Sequence, residues 1–189
     1  MSLSQEPATS TLQQNFVCGV KDITGESYAG RSGVHNTYGN AVQTSNGAGP
    51  HNIQLFVLAP DGTVLHCLPG YWNPRDLVYE LAFAEQLNTV WQDNTLSRQA
   101  KDDKFRQMQL AHMHEHSAGL SRRSHMQGFD QEYEAKNRLH ESDTIKNPKA
   151  ITAAYEEGAN HAPPWAFKST DEIMHERMAK RPFLQYDRF

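Results

Sequence analysis

Cysteine is scarce in this chain: 189 residues hold only Cys18 and Cys67. Two thiols cannot build the disulfide framework of a small secreted fold. Neither has the setting that makes a thiol reactive. Cys18 is followed by Gly19-Val20-Lys21 inside an apolar run, Cys67 lies in a second such run, and neither opens a helix. Both read as small buried apolar residues. Long apolar stretches are also missing. None approaches the roughly 20 residues that span a bilayer, so no membrane association is expected. The first residues, Met1 to Pro7, have neither a charged nor an apolar block of the secretory kind, which leaves the cytoplasm as the default expectation. An excess of basic residues is lacking too. Lys plus Arg number 18 against 22 Asp plus Glu, for a net charge of −4 with the ten histidines neutral, and this gives no general case for nucleic acid.

Valine disappears partway along. The last is Val90, and from Asp93 to Phe189 Leu plus Ile number only eight. So few aliphatic residues do not bury enough surface to offset the ordering of nearly a hundred residues unaided. The expected organisation is a disordered segment over 1–14, an α/β domain over 15–92, and a polar extension over 93–189. That extension is helical and irregular, packs on the domain and stays partly mobile, with its aromatic residues as isolated anchors.

The patterned half is explicit. Phe16-Val-Cys-Gly-Val20 reads as a buried strand, and residues 24–49, rich in Gly, Ser, Asn and Thr, read as a long loop with one short helix near 36–41. Ile53–Leu58 and Thr63–Leu68 read as two strands joined by Ala59-Pro-Asp-Gly62, with Pro60 presetting φ and Gly62 supplying a positive φ. A helix follows. Asn73 takes the N-cap, Pro74 the first helical position and Asp76 the first turn, while Leu77, Leu81, Ala84 and Leu87 form an apolar stripe. Hairpin plus covering helix is an α/β layer arrangement.

In order and spacing these elements resemble the later part of the thioredoxin-like fold. Val17 to Asp22 is similar to that family's third strand, Gly49-Pro50 before the strand at Ile53 to the segment holding its cis-proline, and the Pro-Asp-Gly hairpin, Gly70 and the helix to its closing elements. The resemblance covers about 75 of the residues. It implies a partial or degenerate thioredoxin-like sheet without Cys-x-x-Cys. It leaves two accounts of the missing first half: an N-terminally truncated chain, or Phe16–Val20 as the central strand with loop in place of the active-site helix. It also implies a protein-binding face on the loops flanking the family's active site, here Gly49, Pro50 and His51 on one side and Gly70 on the other, with a cis bond at Gly49-Pro50. Tyr71 and Trp72 extend that face as apolar surface with polar handles, or else Trp72 folds back under the helix as a staple.

One further bias stands out. Residues 108–126 hold four histidines and three methionines. Residues 97–116 read as a helix, which sets His112 and His116 at i, i+4 on one face and turns His114 away; an extended segment would point all three one way. His112 and His116, with Met108 and Met113, form a candidate metal site. Imidazole suits zinc or copper, and thioether tilts the choice to cuprous copper. A polar helix end with histidines near the negative end of the dipole explains the same residues without a metal. Further on, 130–138 and 170–180 read as helices, Asn147-Pro148 and Ala162–Trp165 as breaks. The His140-Glu and His175-Glu pairs read as surface residues.

Three functions follow as expectations. The first is a thioredoxin-like module without its own dithiol, used for binding or scaffolding and not as an enzyme, with no cofactor. The second is part of a thiol–disulfide oxidoreductase whose active half lies upstream. The third is a metal-binding protein that uses the His/Met segment.

Overall fold

The fold is known from a computed structural model, which describes residues 2–22, 54–70, 72–124, 126 and 128–189. It is mixed α/β, dominated by helices around a small two-stranded sheet. Strand β1 is Gln54–Leu58 and strand β2 is Val64–Pro69; they pair antiparallel, with Leu55 opposite Leu68 and Val57 opposite His66. The turn between them forms as its residues dictate. Gly62 has φ +84°, and the Asp61 carboxylate accepts from the Thr63 amide at 3.0 Å. The other Asp61 oxygen accepts from the Trp91 indole, also at 3.0 Å, and so ties the turn to the far end of the next helix.

That helix, α2, runs Pro74–Gln92. The Asn73 side chain accepts from the Arg75 amide, and Pro74 gives up no hydrogen bond because a first-turn N–H has no partner in the helix. Leu77, Leu81, Ala84 and Leu87 are buried as their spacing predicts. Helix α1 covers Ala8–Asn15, α3 Arg98–Glu115, α4 Ala118–Arg123, α5 Gly128–Asn137, α6 Pro148–Glu156 and α7 Thr170–Ala179. Local chemistry starts several of these. Ser97 caps α3, Asn147 and Pro148 open α6, and Ser169 with Glu172 forms a capping box on α7. No described helix is long and apolar enough to cross a membrane.

Several expectations are corrected here. Residues 16–22 form no strand: Val17, Cys18 and Val20 are exposed, so the apolar run is not buried and Cys18 is not a core thiol. The first residues are ordered into α1, whose Ala8 is fully buried against the main core. The hairpin and the helix after it form as their residues predict. The loop over 24–49 with its helix near 36–41, the Gly49-Pro50 bond, His51, Ile53 and Tyr71 lie outside the described residues.

The C-terminal half is no appendage. The main core joins Val64, Leu68, Leu77, Leu81 and Leu87 to Phe105, Leu120, Met174, Met178 and Phe183 from beyond the composition break. Phe105 meets Phe183 edge-on at 4.7 Å. A second cluster, built from Met126, Ala135, Ile151, Ala162, Ala166, Phe167 and Ile173, uses alanine and methionine where aliphatic residues are few. Trp165 and Tyr133, expected as anchors, stand exposed. Phe105→Ala removes a fully buried ring shared by both halves. It should cost about 3–5 kcal/mol, read in urea as one transition shifted equally by tryptophan fluorescence and far-UV dichroism. A hairpin signal that held its midpoint while the helical signal moved would show two separately folding parts.

Candidate metal centre

Glu80 lies on the buried face of α2, one turn after Leu77's neighbours and between Leu77 and Ala84 in the apolar stripe. A carboxylate there is out of reach of bulk solvent: its side chain is 0% exposed. What meets it instead is imidazole. His66 Nε2 from β2 lies 2.9 Å from Oε2. From α3, His112 Nε2 lies 3.3 Å from both oxygens and His116 Nε2 2.9 Å from Oε1. From α7, His175 Nε2 lies 3.5 Å from Oε2. The side chains of His112 and His116 are 7% and 1% exposed, and those of His66 and His175 are fully buried.

The ligand atoms of Glu80, His112, His116 and His175 all lie within 4.8 Å of one another. Two of them, His116 Nε2 and His175 Nε2, are buried without a hydrogen-bond partner, although a carboxylate oxygen is close. The nitrogens therefore face the space beside the carboxylate and do not donate along a line to it. Buried polar atoms left in this way are rare unless something else satisfies them.

The opposite edges of the same rings are held. His116 Nδ1 lies 2.9 Å from Asp171 Oδ2, and Asp171 itself accepts from Ser121 at 3.0 Å and Ser124 at 2.5 Å. His175 Nδ1 lies 2.6 Å from Gln109 Oε1. An Nδ1–H directed at a carboxylate or amide oxygen leaves the Nε2 lone pair free, which is the tautomer a metal requires. Aromatic rings complete the wall: Phe83 stacks on His112 at 3.9 Å with 7° between the planes, and Tyr79 stacks on it at 4.7 Å.

The electrostatics are conflicted in the absence of an ion. Burial would push the Glu80 carboxyl up, but the close approach of four imidazoles, His112, His116, His175 and His66, holds it far below the usual carboxylate range. Asp171 is likewise held low despite burial, by His116 and the serines around it. Burial opposes charge on His116, yet Asp171 and Glu80 prevail and lift it to about 9. His175 goes the other way, as burial lowers it to about 4 against the pull of Glu80. Glu80 and Asp171, both held in their ionised form, thus flank His116, the ring whose charged form is favoured. A divalent cation bound by neutral imidazoles would balance Glu80 and Asp171 together.

Two of the four sequence-derived ligands, His112 and His116, are brought together as the helical spacing predicts, while His114 is exposed. Met108 packs against the main core and Met113 is half-buried, and neither joins the ligand group. The thioether argument for cuprous copper therefore falls. His175 is corrected from a surface residue to a fully buried one, and Glu80 and His66 were not foreseen as site residues.

The other candidate site does not assemble in the same way. Gly70 keeps φ +74° and is exposed. Trp72 is buried, its indole donating to the Pro69 carbonyl at 3.0 Å, so it does not extend an exposed face. It helps line a cavity of about 190 Å³ with Asn73, Asp76, Leu120, Arg123 and Ser124, where Arg123 holds Asp76 through two hydrogen bonds. Cys67 is buried, which pushes its thiol up to about 12 although Arg181 pulls the other way.

Comparison with protein families, with curated proteins and with solved structures gives no match for this chain. The assignment of a function thus rests on the geometry above.

The two thiols should behave differently. With native protein at neutral pH, a chromogenic disulfide reagent is expected to modify one thiol, Cys18, and to reach Cys67 only after denaturation. Rapid reaction of both in the native state would contradict the buried setting of Cys67.

Proposed function

We propose that this chain is a metal-binding protein whose centre is Glu80, His112, His116 and His175, and that its ion is a divalent first-row metal, with zinc favoured. The observation that carries the reading is the pair of buried, partnerless Nε2 atoms on His116 and His175, aimed beside Glu80 while their Nδ1 atoms are fixed from behind. Three imidazoles and one carboxylate suit zinc, and with no sulfur in the ligand group the set gives no preference for cuprous copper. All four ligand side chains are at most 7% exposed, which supports a closed centre in place of one with an exposed reaction face.

A role follows from where the ligands come from. They sit on α2, α3 and α7, so an ion between them cross-links the strand-and-helix half to the aliphatic-poor half. Metal binding would then be part of the folding free energy. The binding or scaffolding reading retains Gly70 at its edge, but no described feature names a partner for that face. The oxidoreductase reading gains no support from Cys67, whose buried thiol is not ionised near neutrality.

Titration of metal-stripped protein with zinc should saturate at one equivalent per chain, and His112→Ala with His116→Ala should abolish tight uptake. At zinc about 1,000-fold above its dissociation constant, the native state should gain about 4 kcal/mol over the stripped protein, seen as a rise in Tm that the double variant does not show. A wild-type chain whose Tm and zinc content ignore chelation would overturn the proposal.

Asp171→Asn tests the outer layer. It keeps the size of the side chain but loses the charge-assisted bond to His116, so zinc affinity should fall by about 10- to 100-fold, measured by competition with a chromogenic chelator. Unchanged affinity would mean that Asp171 does not orient His116 for an ion.

A further inference from the structure

The geometry points to His66 as the residue that holds Glu80 monodentate, and so sets the coordination number of the ion at four. This inference rests on the metal centre proposed above. His66 is not among the four converging ligands, yet its ring is fully buried on β2 and its Nε2 approaches Glu80 Oε2 to 2.9 Å in hydrogen-bond geometry. Its Nδ1 is buried with no partner. Among the described residues its one hydrogen bond is to Glu80, and a carboxylate oxygen only accepts, so the Nε2 that meets Oε2 is the donor. Ring packing fixes this orientation: His66 stacks on His175 at 5.3 Å and meets Phe83 edge-on at 5.5 Å.

A carboxylate whose Oε2 is occupied by a donor offers Oε1 to the ion. For zinc bonds of about 2.0–2.1 Å, the edges of a coordination tetrahedron are about 3.3–3.4 Å. His116 Nε2, 2.9 Å from Oε1, fits an ion held on that oxygen; His112 Nε2 lies 3.3 Å from both oxygens, and His175 Nε2 3.5 Å from Oε2, so His116 carries the division. With both oxygens free, Glu80 would grip the ion in a bidentate manner and raise its coordination to five. His66 is therefore a positioning residue that acts through Glu80 and does not touch the ion.

Cobalt(II) provides the probe, because its visible d–d bands are intense in four-coordinate sites and weak in five- or six-coordinate ones. Full-length wild-type chain loaded with cobalt should show intense bands. His66→Phe keeps the ring for packing and removes the donor; it should still bind one equivalent, with weakened bands. His66→Gln replaces the lost N–H near the same place and should restore them. Bands in His66→Phe identical to wild type would overturn the role of His66 and leave the metal centre standing, whereas a wild-type chain that takes up no cobalt or zinc would overturn both. A second measurement is independent of how the variants fold. X-ray absorption of the wild-type zinc form should give four nearest neighbours with a single carboxylate oxygen, and five neighbours with a bidentate carboxylate would overturn the inference.

Discussion

A carboxylate sits at the centre of this fold, shut off from bulk solvent. Ionised carboxylates are almost never fully buried without a partner, because the cost of stripping their hydration is several kcal/mol even after the protein relaxes. Glu80 meets that constraint with imidazoles from β2, α3 and α7. Those rings cannot all carry a proton, since like charges at ring separations near 5 Å repel strongly in a dry environment. Burial lowers His175 to about 4, while Asp171 and Glu80 lift His116 to about 9 against its own burial. Protons alone leave the cluster in compromise. The proposed ion, with two positive charges at the point where the Nε2 atoms converge, would satisfy the carboxylate and the lone pairs together.

The same constraint accounts for how an aliphatic-poor half of the chain is held. Helices α3 and α7 pack against each other and bring His112, His116 and His175 to α2, while Asp171 on α7 braces His116 and Gln109 on α3 braces His175. Each helix thus supplies ligands or the groups that orient another helix's ligands. Around this polar centre the apolar contribution is concentrated in few residues, Phe105 and Phe183 above all. Arg98 adds a polar tie by donating to the carbonyls of Pro182 and Phe183.

What could be read from the chain was what is local. The hairpin turn needed only Pro60, Asp61 and Gly62, and the start of α2 only Asn73, Pro74 and Asp76. The i, i+4 spacing of His112 and His116 was visible because both belong to one helix. Glu80 and His175 each join the centre through tertiary packing, which spacing in the sequence does not encode. A signal was nevertheless present. Glu80 stands three residues after Leu77 and four before Ala84, on the apolar stripe of α2, and His175 follows Ile173 and Met174 on the buried side of α7. An ionisable residue on an apolar stripe marks a buried polar group that must have a partner. The misread strand at 16–20 shows the reverse limit: an apolar run without neighbours to cover it is not thereby buried, and Val17 and Val20 are fully exposed.

If packing alone had shaped this region, a less demanding solution was available. Replacing a buried ionic cluster by apolar residues of similar volume is often neutral or stabilising, whereas removing one member of the cluster is severely destabilising. Phe83 already stacks on His112, and phenylalanine or leucine at the histidine positions, with leucine at 80, would extend the main core without any charge to satisfy. The chain instead keeps Glu80 with four imidazoles around it, and adds Asp171, Ser121, Ser124 and Gln109 whose hydrogen bonds serve only to orient two of those rings or their brace. An apolar core would be stable under all conditions. A core of this composition would be at its most stable with a cation in it, and under the proposed reading the order of three helices would then depend on that ion.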